Sequence, residues 1–201
     1  MDAEEADVSV DDEARVPDAA RLVRDFINTH ELQVEREDLA SPADLQDWLA
    51  ERDLLPDDVR LEPADLATAV TVREGLRALL LENAGHGGDA AATSALNQVL
   101  AELPLRMTFD QGGYRLVSAS STPIGQAVGQ LADAIRRCAE DGSWVRLKVC
   151  ARDSCRWAFY DTSRNQVRRW CSMAACGNRI KMQRAYAARK NRARQEAATE
   201  A

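Results

Sequence analysis

Large apolar residues recur along this chain at three- and four-residue intervals, and proline, glycine or a small polar residue stands at the ends of most such runs. Leu22, Val23, Phe26 and Ile27 share one face of a first helix. Ser41-Pro42 with Asp44 is a helix start signal, and Leu45, Trp48 and Leu49 follow it as the apolar face of a second. Between Pro63 and Asn83, Leu66, Val70, Leu76, Leu79 and Leu80 support a third and longer helix, which Gly85-His86-Gly87-Gly88 ends. Leu96, Val99, Leu100 and Leu103 mark a further helix that runs up to Pro104.

After Pro104 the period changes from helical to alternating. Leu105, Met107 and Phe109 alternate with polar neighbours, Gln111-Gly112-Gly113 supplies a turn, and Tyr114 and Leu116 resume the pattern on a return strand. Helical spacing returns at Thr122-Pro123 with Ile124, Val128, Leu131 and Ile135, and stops at Gly142. Then Val145, Leu147 and Val149 alternate with Trp144, Arg146 and Lys148, which predicts a short strand, with residues 156–160 as its partner. Ser172 is placed to cap a last helix that holds Cys176 in its first turn and continues through Ile180, Gln183, Tyr186 and Arg189.

With 201 residues, 45% of them hydrophobic, the chain can build one ordinary domain and a small accessory module. No segment approaches the ~18 consecutive apolar residues of a membrane span, and no basic stretch followed by an apolar run opens the sequence, so a cytoplasmic chain without a membrane partner is expected. The net charge of −7 conceals an asymmetry. Residues 1–144 carry 12 Lys and Arg against 29 Asp and Glu, whereas residues 145–194 carry 14 Lys and Arg against Asp153 and Asp161 alone. Exposed charges are screened beyond roughly 8 Å at physiological salt, so a polyanion approaching the C-terminal part meets a local positive field.

Four of the five cysteines form two CxxxxC pairs, Cys150 with Cys155 and Cys171 with Cys176, with fifteen residues between the pairs. That spacing lets four thiolates converge on one tetrahedral ion, and Zn²⁺ suits four thiolate ligands at about 2.3 Å. Four cysteines leave no open position for water, so the zinc is expected to be structural, one per chain. The plainer alternative is four buried or redox-active thiols without metal. Cys138 lies on the apolar side of its helix and reads as core. One pair on a hairpin knuckle and one at a helix N-terminus resembles a treble clef.

Residues 146–183 resemble the CGNR zinc finger, whose name stands here as Cys176-Gly177-Asn178-Arg179, with Tyr160-Asp161, Ser163-Arg164-Asn165 and Arg168-Arg169-Trp170-Cys171-Ser172-Met173 as further matching blocks. Upstream, Asp25-Phe26-Ile27-Asn28-Thr29 and the Leu45–Leu49 segment are similar to the ABATE domain that accompanies this finger. The resemblance implies a bacterial, stress-induced transcription regulator in which Cys150, Cys155, Cys171 and Cys176 hold zinc.

The expected fold is therefore mainly α. An acidic disordered segment, 1–16, precedes a helical domain with a small hairpin, 17–143; a treble-clef-like four-cysteine module, 144–190, and a frayed tail, 191–201, follow. Arg164, Arg168, Arg169, Arg179, Lys181 and Arg184 are the candidate nucleic-acid contacts, since arginine suits phosphate and guanine edges. Asn165 and Asn178 read as local caps, and Trp157, Phe159, Tyr160 and Trp170 as filling around the metal. His30 and His86 belong to no nucleophile or carboxylate pattern, and there is no HExxH, so an enzyme is not expected. A DNA-binding regulator leads. A zinc-dependent adaptor for RNA or protein, or a redox-sensitive switch, remains open at this level, as do homodimerisation and a small-molecule effector of the N-terminal domain, for which the sequence names no ligand.

Overall fold

A computed structural model of the chain describes residues 10–110 and 113–199. In chain order these form α1 (Val10–Glu13), α2 (Asp18–Ile27), β1 (His30–Glu31), β2 (Arg36–Glu37), α3 (Pro42–Ala50), α4 (Pro63–Asn83), α5 (Ala90–Ala101), β3 (Leu105–Asp110), β4 (Gly113–Ser118) and α6 (Pro123–Glu140). A 3₁₀ turn (Trp144–Arg146), β5 (Leu147–Val149), β6 (Ala158–Tyr160), a π-helical turn (Met173–Gly177) and α7 (Asn178–Thr199) follow. The three sheets are two-stranded antiparallel hairpins, β1–β2, β3–β4 and β5–β6.

The helices start where local chemistry satisfies their first N–H groups. Ser41 Oγ accepts from Asp44 N at 3.2 Å, Thr122 Oγ1 from Gly125 N at 3.2 Å, and Asp65 Oδ2 from Glu62 N at 2.8 Å in a capping box. Pro42, Pro63 and Pro123 stand in the first turn of their helices, where no N–H is missed. Gly85, at φ 71°, carries the chain out of α4 through the left-handed region. Gly75 lets α5 approach α4 closely, since a Cβ there would stand 2.4 Å from Leu96 Cβ.

One core runs through Val23, Phe26, Ile27, Leu45, Leu49, Val72, Leu76, Leu80, Val128 and Leu131, and it also contains Leu147, Val149 and Ala158. The β5–β6 hairpin is thus packed into the helical body, and packing continues across the boundary expected at 144. A second cluster, Cys150, Cys155, Phe159, Cys171 and Cys176 with Trp157 and Trp170 against it, forms the far side of that hairpin.

Three expectations are corrected. Order begins before Pro17: Val10–Glu13 is a helical turn, Glu13 grips Arg24 through two 2.7 Å bonds, and Val16 is buried; residues 1–9 lie outside the described residues. Residues 144–146 form a 3₁₀ turn rather than strand, and Lys148 is buried rather than facing water, because Asp161 neutralises it. α4 is helical as expected, with Leu76 and Leu80 buried and Leu66 and Leu79 against the core, and its buried face also takes in Ala69, Val72, Arg73 and Arg77. The last helix continues to Thr199, past the tail expected from 191; residues 200 and 201, like Gln111 and Gly112 of the β3–β4 turn, lie outside the described residues.

Candidate metal centre and basic surface

β5 delivers Cys150 directly into a tight turn. Cys150 N donates to Trp157 O at 2.9 Å and Cys155 N to Arg152 O at 2.9 Å, so the knuckle closes on itself before β6 returns. The second pair flanks Ser172, whose hydroxyl accepts from Ala175 N at 3.2 Å. Cys176 sits in the π-helical turn that leads into α7, where a helix N-terminus favours negative charge. Ala151 N donates to Arg169 O at 2.8 Å and ties the two halves together.

All four sulfurs lie within 4.8 Å of one another and all four residues are buried. Cys171 Sγ stands 3.7 Å from Cys155 Sγ and 3.7 Å from Cys176 Sγ. A tetrahedron of thiolates about zinc, with Zn–S near 2.3 Å, has edges of about 3.8 Å. The sulfurs therefore fit one zinc ion, and the set is closed to water. A disulfide, with its S–S bond of ~2.05 Å, is not present: all five cysteines are free.

The four thiols are close enough to couple: Cys155 and Cys171 drive the Cys150 pKa down, while Cys150 pushes Cys155 and Cys171 up. A divalent ion bound there would hold all four as thiolates. Cys138 is buried in the body core, away from the quartet, and burial pushes its thiol up.

The loop between the pairs is organised by Asp161, which is fully buried. Its carboxylate accepts from Lys148 Nζ at 2.7 Å, Ser163 Oγ at 2.5 Å, Ser163 N at 3.0 Å and Arg168 N at 3.0 Å. Burial raises the Asp161 pKa, but Lys148 and the hydroxyl and N–H of Ser163 outweigh it and hold the group below the ordinary carboxylate range. Lys148 also donates to Gln166 O and fixes a non-glycine residue in the left-handed region, at φ 52°. Arg146 Nη1 donates to Asp161 O at 2.9 Å and Ser163 O at 3.1 Å.

The body and the finger are joined by polar contacts that the sequence reading did not foresee. Asn28 treats β6 as a backbone strand would: its Nδ2 donates to Ala158 O at 2.9 Å and its Oδ1 accepts from Ala158 N at 2.8 Å. Arg77 donates to Ile27 O at 2.7 Å, and to Arg156 O in the knuckle at 2.9 Å. Arg152 of the knuckle reaches Gln33 beyond β1. Asn28 belongs to the Asp25–Thr29 block already singled out; that amide near the end of an apolar helical face was the available signal.

Arg164, Arg169, Arg179 and Lys181 are exposed. Arg168 is spent internally: its Nε donates to Trp170 O at 2.9 Å, its Nη2 donates to Cys171 O, and its guanidinium lies 5.1 Å from the Phe159 ring centroid. It positions the second cysteine pair. Arg184 stands on α7, and its side chain lies outside the described residues. Asn165 and Asn178 are exposed, and Ser172 rather than Asn178 provides the cap, because the π-helical turn moves the helix entry upstream. Phe159 is buried and Trp157 and Trp170 pack against the cysteines, while Tyr160 packs on the body core. His86 lies near the knuckle, where burial and Arg169 and Arg156 lower its pKa, and His30 Nδ1 is 3.8 Å from Glu74. Between body and finger lies a cleft of about 1040 Å³, with Arg24, Trp48 and Arg52 on one wall and Trp157, Phe159 and Arg168 on the other.

A helical body carrying a four-cysteine treble-clef module on its core hairpin defines a zinc-finger protein with a structural metal. The family comparisons agree: the CGNR zinc finger model matches residues 146–190, and the ABATE model, described as "Putative stress-induced transcription regulator", matches residues 20–153, in that order along the chain. The chain belongs to the ABATE family. The two matches overlap over 146–153, the same residues through which β5 enters both clusters. No curated protein matches the chain. No helix among the described residues is long and apolar enough to cross a membrane.

Proposed function

We propose that this chain is a transcription regulator whose zinc-stabilised C-terminal finger binds DNA. Zinc does no chemistry here. It locks the hairpin knuckle to the start of α7, so that Arg164 and Arg169 on the loop and Arg179 and Lys181 on the helix face outward together. The metal-coupled energy available for this, ~10–16 kcal/mol in apparent terms, exceeds what a fifty-residue module could draw from its small apolar cluster.

The observation that carries the reading is α7. It spans 22 residues, its described side chains from Lys181 to Arg192 are all exposed, and residues 178–195 contain no acid. An exposed helix ordinarily mixes signs, and a run of residues 178–195 bearing cations alone, before Glu196, repels itself unless an anion lies along it. At ~1.5 Å per residue it is about 33 Å long, and the major groove of DNA admits a helix. The loop arginines beside its start suit phosphate, which sets register, while contacts from the helix to base edges would set sequence. The cleft between body and finger, about 1040 Å³, has room for a small-molecule effector beside the knuckle.

The test is the salt dependence of binding to duplex DNA. Neutralising about six phosphates gives a slope of log K against log salt near −5, and each exposed arginine replaced by alanine lowers its magnitude by about 1. Competition among duplex DNA, structured RNA and heparin separates a sequence reader from a general polyanion binder. A salt-independent affinity contradicts the proposal.

A further inference from the structure

The β3–β4 hairpin shows water a row of three large apolar side chains on one strand. Leu105, Met107 and Phe109 are 40%, 53% and 79% exposed, and Phe109 meets Tyr114 across the strands at 6.3 Å between ring centroids. α6 covers β4, not β3. A Cβ at Gly129 would stand 2.5 Å from Ser118 Cβ, and Arg136 lies 4.5 Å from the Tyr114 ring centroid, so the row on β3 projects past the helix.

The outer edge of β3 is open as well. Leu116 N donates to Asp133 Oδ1 on α6 at 2.7 Å rather than to Met107, its partner in register. Leu116 and Met107 are therefore a non-hydrogen-bonded pair, and the N–H and C=O of Met107 point away from β4; by alternation so do those of Leu105 and Phe109. Edge strands are usually blunted by charged side chains, proline or a bulge; the two charges of β3, Arg106 and Asp110, are of opposite sign. β3 has no proline or lysine, and its six-pair register with β4 is unbroken.

We propose that β3 is a dimerisation strand, pairing antiparallel with β3 of a second copy of this chain about a two-fold axis through Thr108, so that two hairpins form one four-stranded sheet. The order of residues selects this partner. With Thr108 opposite Thr108, Arg106 lies opposite Asp110 of the second copy and Met107 opposite Phe109, each twice by symmetry. A strand with a cation at one position and an anion four residues on is complementary to its own antiparallel copy. The outward groups of Met107 and Phe109 make four backbone hydrogen bonds in this register, and the apolar rows of the two copies become neighbours on one face. The dimer stands or falls independently of whether the finger binds DNA.

Sedimentation velocity on the full-length, zinc-loaded chain tests this directly. At tens of micromolar the mass should be twice the 22.2 kDa of one chain. Met107→Asp and Asp110→Arg should each weaken the dimer at least ~10-fold, and Arg106→Asp with Asp110→Arg together should restore it. Thr108→Cys should give a covalent dimer on mild oxidation, the two Cα atoms being opposite and close. All of these positions lie on the edge strand β3, with Arg106 and Met107 exposed, and zinc content with far-UV dichroism confirms that each variant is folded. A folded chain that stays monomeric at ~100 µM overturns the proposal. So does a dimer indifferent to Met107→Asp and Asp110→Arg, or a hairpin that captures only unrelated peptides.

Discussion

Replacing Asn28 with alanine tests whether the finger is rigidly built onto the helical body. The substitution removes two hydrogen bonds, of 2.9 and 2.8 Å, and leaves the N–H and C=O of Ala158 without partners at a residue that is 0% exposed. Each buried backbone group left unsatisfied costs ~1–3 kcal/mol, so the pair costs about 2–5 kcal/mol, with little relief because β6 is pinned on its other side by β5. That is a large part of the 5–15 kcal/mol typical of a folded domain. Urea unfolding of the zinc-loaded protein should show a lowered midpoint with an unchanged slope, and the melting temperature should fall by roughly 4–20 °C. The loss should also appear as faster zinc release to a colorimetric chelator, because Ala158 lies between the two parts of the knuckle fold. Loss of less than ~0.5 kcal/mol with zinc release unchanged would refute the coupling and make the body and finger independent units.

Further tests address the buried charges and the thiols. Asp161 is held below its ordinary range in the folded chain, so its contribution is fully present above the unfolded carboxylate value of ~3.9 and is lost as pH falls through the lower folded value; Asp161→Asn should be less stable at pH 7 and flatter in acid titration followed by tryptophan fluorescence. Glu37→Ala removes two 2.7 Å bonds from the Arg73 guanidinium, which is 2% exposed, and leaves it Glu74 at 2.9 Å and Thr29 at 3.1 Å; it should cost about 1.5–3 kcal/mol in urea unfolding. Cys138→Ala should keep zinc content at one per chain, whereas Cys171→Ser should abolish it and unfold the 150–177 region by hydrogen exchange.

The helices were legible because their ends are written in short-range chemistry: Ser41, Glu62, Asp89 and Thr122 stand at the N-caps, and Pro42, Pro63 and Pro123 follow. The four cysteines were legible for a similar reason, since metal geometry constrains spacing tightly. What escaped depends on tertiary partners. Arg73 and Arg77 sit at i and i+4 in the buried stripe of α4, yet a periodicity count treats arginine as surface; Glu37 and the carbonyls of Ile27 and Arg156 make the burial affordable. Lys148 misled in the same way, since its partner Asp161 lies 13 residues on. Arg168 was read as outward because local sequence does not reveal that the carbonyls of Trp170 and Cys171 face it. The two-residue strands of β1–β2 carry no periodic signal, and their register, His30 with Glu37 and Glu31 with Arg36, places Glu37 within reach of Arg73.

The most direct measurement is X-ray absorption at the zinc edge, with elemental analysis, on untagged native protein. One zinc per chain with four sulfur neighbours at about 2.3 Å is the expected result. Absence of stoichiometric metal, oxidised Cys150–Cys155 or Cys171–Cys176 pairs, or a first shell containing nitrogen or oxygen would contradict the four-thiolate scaffold on which the outward basic surface depends.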